Sequence, residues 1–261
     1  MIELSIEALP FVDKIQSGIS VDTLVTALKK ANVELVAWPH PPESPLQVRF
    51  LDDRRPDLVT PSGLARHVRL AVSGKPSSYP AFSRETEILA NTVGSDRSTV
   101  AAAEIRVTGD NGKTIAATLD SLENLRLSPY FAQANLRFLM VPSDADSWPI
   151  TLDHSEGFCK AFSRQGGILP PWEPSLVPSG RALLICSAES ERRASEAIAL
   201  AVCDLHDAGA EIHPIRIISD GGGEKTHPGG SEKPVITDLD RIRETLGISL
   251  TMNEAASLLA R

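Results

Sequence analysis

Cysteine is scarce in this sequence. Cys159, Cys186 and Cys203 are the only three in 261 residues, and no two form a CxxC pair. That excludes a disulfide framework and a cysteine-based zinc site, and it fits a reducing cytoplasm. Long apolar runs are also missing: none approaches the roughly 18–20 residues that a membrane helix needs. The opening, MIELSIEALPFVDK, carries Glu3 and Glu7 and lacks the basic and apolar regions of a signal peptide, so the expectation is a cytoplasmic protein. Positive charge is not in excess either. The formal net charge is −8, and the parts before and after residue 180 each carry −4. Nucleic-acid binders concentrate basic charge where they meet phosphate, so that partner class is disfavoured. The six histidines form neither HExxH nor HxH, and no metal site is expected.

What is present is a well-patterned α/β chain. Val21, Leu24, Val25, Leu28 and Ala31 fall on one helical stripe behind Ser20, a natural N-cap. VELVAW and LQVRFL read as strands on either side of the proline-rich HPPESP, and residues 61–74 read as a helix closed by Gly74. AAAEIRVTGDNGKTIAATL alternates apolar and polar residues on both sides of GDNG, which predicts a β-hairpin over 100–119. SEGFCKAFSRQGG suggests a short helix closed by Gly166 and Gly167. ILPPWEPSLVPSG carries four prolines and marks a boundary.

The organisation expected is therefore an α+β region over 1–167, a linker over 168–180 and an α/β unit over 181–261. The two regions either share a sheet or form separate domains. The last unit is a Rossmann-like strand–helix–strand. Ala182–Cys186 is a continuous apolar run. Ala194, Ala197, Ile198, Ala201, Val202 and Leu205 form the stripe of a long helix, and AEIHPIRIIS returns as a strand. The simplest arrangement is a right-handed parallel crossover between adjacent strands. TDLDRIRETLG, with Thr237 as cap, and TMNEAASLLAR, with Thr251 and Glu254 in capping-box spacing, add two helices.

Motifs that would fix a reaction are absent. NGKT at 111–114 lacks the glycine of a Walker loop, since Val107 stands in its place. Cys159 five residues from His154 does not form a thiol–base pair at helical spacing, and Cys159 reads as core beside Phe158 and Phe162. The strongest candidate for a ligand is the edge where α/β sheets bind small molecules. There Ser187 and Glu189 follow one strand. Asp220, Gly221, Gly222 and Gly223 follow the other, with Lys225 as a counter-charge for an anion.

Two functions from different classes follow. One is an interaction protein, a non-catalytic subunit of a larger complex, with the prolines at 39–45 and 168–178 as docking strips. The other is an enzyme or sensor that binds a nucleotide or other phosphorylated ligand at the Ser187–Asp220 crevice. No cofactor is indicated by the sequence.

Overall fold

The computed structural model describes residues 2–15, 18–52, 54–74, 88–93, 99–142, 148–153, 159–171, 180–219, 222–229 and 238–259. The chain is α/β, as its patterning requires, with two sheets. Strand β1 (Ile2–Ile6) alternates strictly, burying Ile2, Leu4 and Ile6. β2 (Val33–Ala37) and β1 both pair antiparallel with β3 (Leu46–Phe50), giving the order β1-β3-β2. Three helices accompany this sheet: α1 (Ala8–Ile15), α2 (Val21–Lys30) and α3 (Pro61–Ser73). The cap of α2 is Ser20, whose hydroxyl accepts from Thr23 N at 3.2 Å. Gly74 closes α3 at φ +68°, a conformation that glycine adopts without steric cost.

The second sheet has eight strands. Six are β4 (Ile88–Val93), β5 (Thr99–Val107), β6 (Arg137–Pro142), β7 (Ile150–Asp153), β8 (Lys160–Phe162) and β9 (Gly180–Ala188). β10 (Glu211–Ser219) and β11 (Glu224–His227) complete it. The order is β6-β9-β5-β10-β4-β7-β8, with β11 joined to β10. Helix α5 (Glu191–Asp207) lies on β5 and β9 and buries the predicted stripe from Ala194 to Leu205. Its alanines face Ala101 and Ala103, and small side chains on both surfaces let helix and sheet approach closely. One core joins the small sheet, the helices and this face of the large sheet. A second core lies on the opposite face, where Ala102, Leu183, Ile185, Ile215 and Ile217 meet.

Four expectations are corrected. Residues 100–119 are not a hairpin: β5 is the predicted first strand, but α4 (Gly112–Ser121) follows. Ile115, Thr118 and Leu122 are buried while Ala117 is exposed, so the helical period, not the alternation, matches the core. Residues 160–162 are strand β8 rather than helix; Ala161 is buried against β7, and Gly166 turns at φ +81° toward Ile168. The earlier part of that expected helix, 154–158, lies outside the described residues. The cap of α6 (Leu239–Leu246) is Asp238, which accepts from Arg241 N at 2.7 Å; Thr237 lies outside the described residues. In α7 (Met252–Leu259) the capping box forms as expected, with Glu254 Oε2 accepting from Thr251 N at 2.8 Å.

The fourth correction concerns the final unit. β9 and β10 run the same way, since each pairs antiparallel with β5, but they are not adjacent: β5 lies between them. The strand–helix–strand is thus a parallel crossover that skips one strand. β9 also pairs with β6, so strands from both sides of residue 168 interleave in one sheet. Residues 172–179 of the proline-rich segment lie outside the described residues.

Candidate functional site

The sequence-predicted crevice residues are spread by this topology. Ser187 sits within β9, opposite Val100 on one side and Arg137 on the other. Glu189 follows it, held by a hydrogen bond from Asn135 Nδ2 at 2.5 Å and by its own N–H to Ala134 O at 2.9 Å. Asp220 and Gly221 lie outside the described residues. Gly222, at φ +78°, and Gly223 are exposed in the turn that joins β10 to β11. β10 pairs with β5 through Glu211–Pro214 and with β11 through Ile215–Ile218, both on the edge away from β4. β5 and β11 therefore stand between the ends of β9 and β10. Lys225, read as an anion's counter-charge, is hydrogen-bonded to Glu191 in the first turn of α5.

A concave surface lies elsewhere, among α1, α3, α4 and the C-terminal end of α5. Two contiguous clefts of about 560 and 540 Å³ share Pro10, Lys14, Ser62 and Thr114. Beneath them the helices are joined by charge. Thr60 is the N-cap of α3, its hydroxyl accepting from Gly63 N at 3.1 Å. The same hydroxyl donates to Asp204 Oδ2 on α5 at 2.5 Å. One turn on, Arg66 donates through Nη2 to Asp204 Oδ1 at 2.8 Å and through Nε to Asp207 Oδ2 at 2.9 Å. Arg66 and Arg69 on α3, and Asp204 and Asp207 on α5, are each three apart, so each pair shares a helix face and the two faces oppose.

Lys14 rises from the last turn of α1 and donates to Ser62 Oγ at 2.6 Å. Burial lowers its pKa, the attraction of Asp204 and Asp207 opposes that, and the Arg66 charge adds to the lowering. Burial likewise raises the Asp204 carboxyl, against the pull of Arg66 and the Thr60 hydrogen bond. The result is an ammonium held at the junction of two clefts. The first cleft is lined as well by Asp13, by Arg66 and Arg69, and by Asp207, which is paired with Arg66. Such a lining suits a ligand that presents an oxyanion to Lys14 and a hydrogen-bond donor to the carboxylates.

None of these residues was singled out by motif. One signal was available: Asp204 falls three residues after Ala201 and next to Leu205, inside the buried stripe of α5, and it is only 2% exposed. A carboxylate at a buried stripe position requires a partner from another element.

The thiols are ill suited to nucleophilic work. Burial pushes Cys159 up to about 12 and Cys203 up to about 11, and it raises Cys186 as well. Among the described residues no group of three His, Cys, Asp or Glu side chains is placed to hold a metal ion, and no helix is long and apolar enough to cross a membrane.

No family model matches this sequence, and no curated protein is similar to it in sequence. Among solved structures the chain is similar to an N-terminal fragment of the phenylalanyl-tRNA synthetase beta-subunit from Pyrococcus horikoshii. The TM-score is 0.76 at 15% identity, over 99% of this chain and 88% of that one. At that identity the likeness is one of fold.

Proposed function

We propose that this chain is an interaction module that works as one part of a larger assembly. The supporting observation is the extent of the fold likeness: nearly the whole chain superimposes on nearly the whole of a fragment that is itself part of a subunit. The proline-rich segment that begins at Ile168, which is 65% exposed, is one of two docking strips proposed for it, with residues 39–45 as the other. The test is the size of the particle isolated under mild conditions from the cells that make the protein. The reading predicts a different protein at fixed stoichiometry with this chain. A particle made of this chain alone would refute it.

A second reading is favoured by Lys14. A half-buried lysine between two clefts is placed to hold a small ligand through a phosphate or carboxylate group. A thermal-shift screen with nucleotides and phosphorylated metabolites tests it, since a ligand at about 100 Kd adds about 2.7 kcal/mol to stability. The shift is lost in Lys14→Met and kept in Lys225→Ala if this cleft is the seat. The reverse pattern would return the ligand to the glycine-rich turn.

A further inference from the structure

Glu104 stands in the middle of β5 with no exposed surface, on the sheet face away from α5. Its carboxylate accepts from Arg106 Nε at 2.8 Å, from Arg181 Nε at 2.6 Å and from Arg181 Nη2 at 3.1 Å. A triad around a buried carboxylate is weak evidence of a purely stabilising role, because such ion groups are often replaced by apolar residues at no loss. What the triad does is hold two guanidinium groups together. Arg106 and Arg181 are register partners of β5 and β9, so their side chains leave the same face side by side. Both bond one oxygen of Glu104, which offers one negative charge to two positive ones.

The forks are only partly used. Arg181 spends Nε and Nη2 on Glu104, leaving Nη1; Arg106 spends Nε, leaving both terminal nitrogens. The Arg106 side chain is 35% exposed and that of Arg181 29%, so solvent reaches them. Glu211 lies directly across from Arg106, yet its carboxylate stands 3.6 Å from His213 Nε2 instead. His213 is the register partner of Glu104, and its Nε2 is buried without a hydrogen bond.

We infer that Arg106 and Arg181, aligned by Glu104, form a binding site for the oxyanion of a phosphate group, separate from the Lys14 clefts. Planar guanidinium forks match phosphate oxygens in pairs, and prior alignment removes much of the entropic cost of closing on them.

The experiment is titration of the full chain with inorganic phosphate, a nucleoside monophosphate and a short single-stranded RNA, followed by calorimetry. The site predicts saturable binding of at least one of these. It also predicts at least a tenfold loss in Arg106→Gln, which leaves the Arg181–Glu104 pair intact, and a similar loss in Arg106→Lys, both read in a Lys14→Met background so that the Lys14 clefts do not contribute. Which probe binds tightest identifies the source of the phosphate. Absence of saturable binding to all three, or binding unchanged in Arg106→Gln, overturns the inference. Circular dichroism of each variant shows that a loss is not unfolding.

Discussion

At Asp204 one carboxylate serves two helices: it receives the hydroxyl that caps α3 and the guanidinium of Arg66. Removing it leaves Arg66, whose side chain is 11% exposed, facing a buried gap. Asp204→Ala is therefore expected to lower unfolding free energy by about 3–5 kcal/mol, read as a fall in the urea midpoint. Arg66→Met combined with Asp204→Leu should recover part of that loss, because the paired charges go together and Asp207 keeps Arg69 at 4.0 Å. His227, 5% exposed, gives a pH dependence. Burial holds its pKa below the ordinary 6.5, against the attraction of Glu191 and with the Lys225 charge adding to the lowering; burial also lowers His67. The unfolded chain then binds the proton more readily than the folded one. The stability is full above 6.5 and declines as pH falls through that value toward the lower folded one. Urea midpoints should drop between neutral pH and about pH 5.5, less steeply in His227→Asn. The raised thiols predict slow alkylation of Cys159 and Cys203 at neutral pH, with all three cysteines reacting once the chain is unfolded.

Among the elements, those with a clean local signal were legible. α2, α3 and α5 follow from apolar residues at helical spacing, helped by Ser20 at the start of α2 and Gly74 at the end of α3. α4 was not, because GDNG has the residues of a hairpin turn and Ile115, Ala117 and Leu119 alternate as a strand would. Only tertiary burial of Ile115 and Leu122 separates the two readings. Ala117→Pro tests the helix: at an exposed site inside it the substitution should cost about 3 kcal/mol, by loss of a backbone hydrogen bond and a clash with the preceding turn. Gly63 makes a related test of α3. A Cβ there would lie 1.8 Å from Asp57 O, so Gly63→Ala must displace backbone, and a loss of about 1–3 kcal/mol in thermal or urea unfolding is expected.

Across the whole molecule, the direction of β9 and β10 was legible but their separation was not. Inserting β5 between them depends on pairings such as Ala103 with Leu184 and with Pro214, about which the local pattern is silent. The same limit hid the clefts, since Lys14, Ser62, Arg66 and Asp207 come from three helices distant in sequence. The glycine-rich turn attracted a binding reading because its composition suits one; in the fold its neighbour Lys225 is matched to Glu191.

The proposal on which the functional account rests is that this fold operates beside another protein. The most direct measurement is native mass spectrometry of the untagged chain isolated from its own cells. The account predicts a dominant species heavier than one chain, containing a second polypeptide in fixed ratio. A spectrum showing only this chain, single or self-associated, would contradict it.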